Sequence, residues 1–152
     1  MIIMANNKFR LRIITPTEVK IDEEVEMVVV RCTTGEMGIM ANHESWSMPL
    51  DYGIARISGD DSEDSEERRI AIFGGFAVVH ENVMTITTPG AEFPKDIDLA
   101  QAEADRDNAR RDLQEKTDKL EIQSIQLKLK RSLIEIEASQ SISADNSTEN
   151  NF

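Results

Sequence analysis

Few side chains in this sequence carry intrinsic reactivity, and their placing limits what they can do. There is one thiol, Cys32, and there are two imidazoles, His43 and His80. Cys32 sits in a Val-rich run, where a buried structural thiol is expected rather than a nucleophile. His43 is followed by Glu44, an acid–base pair by type, but a loop histidine more often serves as a hydrogen-bonding residue. Residues 58–67, SGDDSEDSEE, gather carboxylates without the ligand order, glycine and terminal Glu of a calcium loop. Gly74-Gly75 lacks the Lys-Ser/Thr and the following helix of a phosphate loop. No GxSxG, HExxH or Walker pattern occurs. Neither a catalytic constellation nor a metal site is expected.

The balance of 17 basic against 29 acidic residues, a net −12, argues against electrostatic binding to nucleic acid or to an anionic membrane. A basic protein surface is the better electrostatic partner. A single cysteine cannot close an intramolecular disulfide, which points to a reducing compartment. The N-terminal apolar run is too short for a signal peptide, and no stretch approaches a membrane span of about 20 apolar residues.

The elements that must hold these groups come in two grammars. Phe9, Leu11 and Ile13 alternate with Arg10 and Arg12, the period of a half-buried strand. Thr15-Pro16-Thr17 turns the chain into a short strand with Val19 and Ile21. Val25–Arg31 reads as a central strand covered on both faces. Gly35–Leu50, with Gly35, Gly38 and Pro49, reads as a structured corner. Strands at 51–57 and 68–73 follow, and then two more within 73–88, joined by a Glu81-Asn82 turn. Glycines inside a strand mark a bulge or a close backbone approach. Eight or so such strands predict a β-sandwich of about 90 residues.

After Thr88-Pro89-Gly90 helix formers dominate, with neither Gly nor Pro from Asp96 to Gln140. Asp98 is placed as an N-cap, with Gln101 completing a capping-box variant. The first helix, roughly 97–115, has a thin stripe of Leu99, Ala102, Ala109 and Leu113, which buries little area. The second, roughly 118–139, carries Ile122, Ile125, Leu129, Leu133 and Ile136 at helical spacing. Two readings stand at this point: an arm that detaches to bind another protein, or a hairpin docked on the sandwich. The expected class is α+β, an N-terminal antiparallel β-sandwich (residues 1–94) followed by a C-terminal two-helix hairpin (95–140). A polar tail, 141–152, is expected to be disordered.

In order, the chain carries Thr15-Pro16, Gly35-x-x-Gly38-x-x-x-Asn42-His43, Leu50 with Gly53, and Phe73-Gly74-Gly75-Phe76-Ala77-Val78. Val83-x-x-Ile86, Ala91-Glu92 and Ile97-Asp98-x-x-x-Ala102 follow. This series, spread over residues 8–139, resembles the ε-subunit family of F-type ATP synthases. Relatives have Gly-His where this chain has Asn42-His43; Asn also tolerates left-handed geometry.

The resemblance implies a non-catalytic central-stalk rotor subunit, gripping γ and seated on the c-ring, that couples ion-driven rotation to ATP synthesis. It implies a peripheral place on the cytoplasmic face of a bacterial plasma membrane, as part of that complex. The c-ring contact would fall on Glu36, Met37, Gly38, Asn42 and His43, an acidic residue meeting basic ring loops. The C-terminal helices would act as an inhibitory arm, with Lys128, Lys130 and Arg131 meeting the α/β catalytic subunits. Some bacterial members bind ATP through I-D-x-x-R-A. Here Glu92, Ile97, Asp98 and Ala102 match, but Gln101 replaces the arginine, leaving Arg106 or Arg131 to supply charge. No cofactor is expected, and Gln101 counts against ATP as a regulatory ligand. The rival reading, a β-sandwich adaptor with a helical dimerisation arm, calls for a sustained heptad, and this stripe is brief.

Overall fold

The computed structural model describes residues 7–59 and 67–149, with side chains described as far as Ser141. Eight strands form one continuous sheet in the order β2-β1-β7-β6-β5-β3-β4, with the two-residue β8 (Ala91–Glu92) pairing β6 off that path. The others are β1 (Phe9–Ile14), β2 (Val19–Val25), β3 (Met27–Cys32), β4 (Gly35–Met40), β5 (Trp46–Ser58), β6 (Arg68–His80) and β7 (Val83–Thr87). β5 and β6 have 13 residues each, about twice the usual strand length. That length lets them serve two layers. Phe76–His80 pairs with β7, while the far half of β5 pairs through Arg56 and Ile57 with β3. The strands of the sandwich are therefore hydrogen-bonded along one continuous path, not in two separate sheets.

Alternation supplies the core: Leu11, Ile13, Val28, Ile39, Ile57, Ile70, Met84 and Ile86 are fully buried, and removing their apolar surface from water drives the layers together. One pairing departs from the antiparallel expectation, because β1 and β7 run parallel. They are distant in sequence, so no hairpin constrains their direction.

Three sequence boundaries move. Gly35–Leu50 is mostly strand, and only residues 41–45 turn between β4 and β5. Cross-strand partners explain it, since Ile39 and Met37 sit opposite Val28 and Val30, and pairing overrides the weak strand propensity of glycine. Val25 closes β2, and β3 buries alternate residues rather than both faces. The separate strands expected at 68–73 and 73–80 are one strand that continues through Gly74-Gly75, both at positive φ. Most of the acidic link, residues 60–66, lies outside the described residues.

The chain divides into two compact units, Met1–Ala91 and Glu92–Phe152. In the second, a 3₁₀ turn at Pro94–Asp96 leads to α1 (Leu99–Glu115) and α2 (Lys119–Glu149). Asp98 caps α1, its carboxylate accepting from the Gln101 backbone N–H at 3.1 Å. The reciprocal half of the box is missing, because the Gln101 side chain donates to Asp105 Oδ1 at 2.9 Å instead. Ala102 and Ala109 are buried on α1, and Ile125, Ser132, Ile134, Ile136 and Ala138 on α2. Leu133, expected in the stripe, is instead exposed, while Ile134 and Ala138 are buried. α2 also runs to Glu149, into the stretch expected to be disordered, where neither Gly nor Pro stops it.

An Asp98→Ala change removes the cap acceptor and should cost about 1 kcal/mol of helix stability. Asp98→Asn should cost far less. Thermal unfolding followed at the helical circular-dichroism band distinguishes the two, and equal losses would show that the cap is not what Asp98 contributes.

Candidate functional site

Among the described residues, those singled out in the sequence fall in three places. The first is the corner at residues 41–46. The two-residue turn between β6 and β7 has Glu81 at φ 47° and Asn82 at φ 64°, both left-handed, as a type I′ hairpin turn requires. The Asn82 side chain accepts from the Asn42 N–H at 2.8 Å and donates to the Lys8 carbonyl at 3.0 Å. Its backbone carbonyl accepts from Arg10 N–H at 3.1 Å. Asn42, itself at φ 62°, is thus pinned to the tip of another hairpin.

His43 does not pair with the Glu44 carboxylate. Its Nδ1 lies 2.8 Å from the Glu44 backbone oxygen, and its ring meets Trp46 edge-on at 6.5 Å. Nearby, Ser45 Oγ lies 3.1 Å from His80 Nδ1, and His80 Nε2 lies 3.6 Å from Glu81 Oε1. The order hydroxyl–imidazole–carboxylate resembles a nucleophile and its base. However, His80 and Glu81 are 67% and 85% exposed, so bulk water competes with every link and nothing gives the hydroxyl its reactivity. Burial pushes the Cys32 thiol upward from its ordinary value, which also removes it as a nucleophile.

The second place is β4, an edge strand. Glu36 is exposed there, and Arg56 Nη2 approaches its Oε2 at 3.5 Å. Met37 and Gly38 follow on the same strand, while Asn42 and His43 come after its far end. By strand rise, Met40 is already about 13 Å beyond Glu36. The five residues expected to form one contact surface therefore separate into two groups.

The third place lies within the helical unit. A groove of about 420 Å³ is lined by Asp105, Asn108 and Asp112 of α1 and by Lys128, Arg131 and Glu135 of α2. Arg131 is committed on two sides: Nη2 to Glu92 Oε1 at 2.9 Å and Nε to Glu135 Oε1 at 3.2 Å. The Glu135 carboxyl is held above the ordinary carboxylate value, first by burial and then by the neighbouring Glu92 charge, with Arg131 pulling the other way. Of the residues weighed for a nucleotide, Glu92 from the pattern and Arg131, the substitute cation, are thus brought together as an ion pair. Asp98 is spent on its helix cap, and Ala102 is buried. Lys128 and Lys130 are exposed.

In the sequence Asn82 reads only as one half of a turn, and Glu135 carries no functional reading. For Asn82 a signal existed, since a polar dipeptide between alternating runs is where left-handed residues fall. For Glu135 there was none.

Residues 8–94 match the family model described as ATP synthase, Delta/Epsilon chain, beta-sandwich domain. An ATP synthase epsilon chain of Lacticaseibacillus casei (strain BL23) is 42% identical over 109 residues, covering 70% of this chain and 73% of that relative. One from Latilactobacillus sakei subsp. sakei (strain 23K) is 36% identical over 130 residues, covering 84% and 89%. Among solved structures, a chain of the Euglena gracilis mitochondrial ATP synthase, determined as OSCP/F1/c-ring in rotational state 1, superposes with a TM-score of 0.66. It has 26% identity and covers 91% of this chain and 81% of that one. A chain of the Tetrahymena thermophila mitochondrial ATP synthase central stalk and c-ring, 15% identical, gives 0.58 and shares the fold.

Proposed function

This chain belongs to the ATP synthase delta/epsilon family, and on that premise we propose that it is a rotor subunit with no catalytic role of its own. It binds γ and sits on the c-ring, coupling ion-driven rotation to ATP synthesis by the α/β catalytic subunits. Its place is peripheral, at the cytoplasmic face of a bacterial membrane. The observation that carries this is the β-sandwich match over residues 8–94 continuing into a two-helix hairpin.

The ring contact is made at Glu36, Met37 and Gly38, where an exposed carboxylate on an open strand edge suits basic loops. Asn42 and His43, at the other end of β4, face a different surface of the complex. The helices form an inhibitory arm that works through Lys128, Lys130 and Arg131. Exposed cations of this kind each contribute little, so they act as an array.

An adaptor with a dimerising coiled coil fits less well. Leu120 and Leu127 are exposed seven residues apart, but Ile134, the next in that series, is already buried and leaves no seam for a second chain.

The test uses a reconstituted ATP-hydrolysing head with γ, comparing ATP turnover without this protein, with the full chain and with a form ending at Lys95. Both forms should bind γ, and the full chain alone should slow hydrolysis severalfold. Equal turnover with stable binding would remove the inhibitory arm from this reading, and failure of both to bind γ would remove the rotor role.

A further inference from the structure

The groove between α1 and α2 is where the residues depart most from the ligand that the resemblance implies. A nucleotide triphosphate needs cations with donors to spare. Arg131 already turns Nη2 to Glu92 and Nε to Glu135, and Asp105, Asp112 and Glu135 outnumber the lining cations Lys128 and Arg131. Gln101, where the pattern has an arginine, is turned to Asp105. The residues present do not fit a polyanion.

We propose that Glu92, Arg131 and Glu135 form a proton-governed clasp that fastens α2 to the strand leading into the helices, so that this arm answers to protons rather than to nucleotide. This rests on the reading of the hairpin as a releasable arm. Two carboxylates around one guanidinium leave an excess negative charge that one proton on Glu135 cancels. The geometry makes the clasp specific to the closed hairpin. Glu92 lies in β8, ahead of both helices, while Arg131 and Glu135 are one turn apart on α2. Moving α2 away must break the Arg131–Glu92 pair, whereas the Arg131–Glu135 pair travels with the helix.

The other charges near Glu135 are Asp105 and Asp112 from α1 and Lys128 from α2. The 3₁₀ turn packed on α2 brings Lys95, whose ammonium lies 5.9 Å over the Phe93 ring, and Asp96. Three carboxylates against two ammonium groups leave these surroundings one negative charge in excess, which adds to the excess within Glu92, Glu135 and Arg131 and favours the proton in the same sense. The Glu135 carboxyl is held above its ordinary value in the closed form, so the closed hairpin binds the proton more tightly than the open one. Closure is therefore favoured in acid, and that advantage is lost as pH rises through the closed-state value.

Amide hydrogen exchange on α2 of the full chain, expressed as protection relative to intrinsic rates, tests this. Protection across residues 125–136 should fall about three- to fivefold from about pH 5 to about pH 8, a size set by a partly exposed ion pair. Glu135→Gln, which cannot ionise, should keep its protection at the upper pH. Arg131→Gln should lose most at the upper pH, where both carboxylates are charged and uncompensated. Millimolar ATP should change none of these profiles. A pH-independent wild-type profile overturns the clasp, as does protection raised by ATP in the wild type but not in Arg131→Gln. If the clasp titrates as expected while full-length and truncated forms slow hydrolysis equally, the clasp stands and the inhibitory reading falls.

Discussion

Gly75→Ala should be the most damaging single methyl that can be added to this protein, costing about 3–5 kcal/mol. Gly75 sits in the middle of β6 at φ +110°, a region in which side chains are strained regardless of space. There is also no space. A Cβ would lie 2.2 Å from the Thr87 carbonyl oxygen and 2.8 Å from Thr88 Cα, both backbone atoms of the segment ending β7. Neither can yield without moving the β6–β7 pairing, in which Phe76 faces Thr87. Gly74→Ala is the control. Its φ of +77° is also strained, but the one tight contact of its Cβ would be the Tyr52 ring at 3.3 Å, a side chain that can shift, while the Leu50 carbonyl oxygen lies at an ordinary 3.9 Å. Its cost should stay near 1–2 kcal/mol. Against a typical total of about 5–15 kcal/mol, the first change endangers folding and the second does not. Denaturant midpoints of the two variants check this, and equal shifts would mean that backbone contact does not set the cost at Gly75.

Why Gly74-Gly75 could be read only in part from sequence shows where such reading stops. Glycine within an alternating run signals close backbone approach, and Gly75 has that approach. The sequence cannot say which backbone comes close, because Thr87 arrives through a hairpin and a pairing register. The same limit explains Gly35–Leu50. Its two glycines and proline are turn formers by type, and only the partners Val28 and Val30 make most of it strand. Where local pattern and packing agree, as for Phe9, Leu11 and Ile13 or the Asp98 cap, the residues alone suffice. The contact surface and the groove are long-range arrangements. Glu36 and His43 share a motif seven residues apart, yet an extended strand carries them to different ends. Arg131 looks like an available cation until Glu92, 39 residues earlier, is found against it.

Asn82 is the reverse case, a residue without motif status on which a candidate surface depends. Asn82→Ala should cost about 2–3 kcal/mol, from two side-chain hydrogen bonds worth about 1 kcal/mol each and roughly 1 kcal/mol of left-handed strain. Asn82→Gly relieves the strain and still loses both bonds, so it should fall in between. Asn82→Asp keeps the acceptor facing Asn42 N–H but sets a carboxylate against the Lys8 carbonyl, in place of the 3.0 Å donation. If the bond to Asn42 is what orders the corner, the Asn82→Asp variant should leave amide protection at residues 41–45 near the wild-type level while stability drops. The glycine variant should lose that protection. Such a split separates holding the corner in place from holding the fold together. Affinity for γ should then follow protection, not stability, if His43 and Trp46 contribute to binding from a preorganised loop. Variants whose affinity tracks the denaturant midpoint alone would show that Asn82 supports the hairpin tip and nothing more.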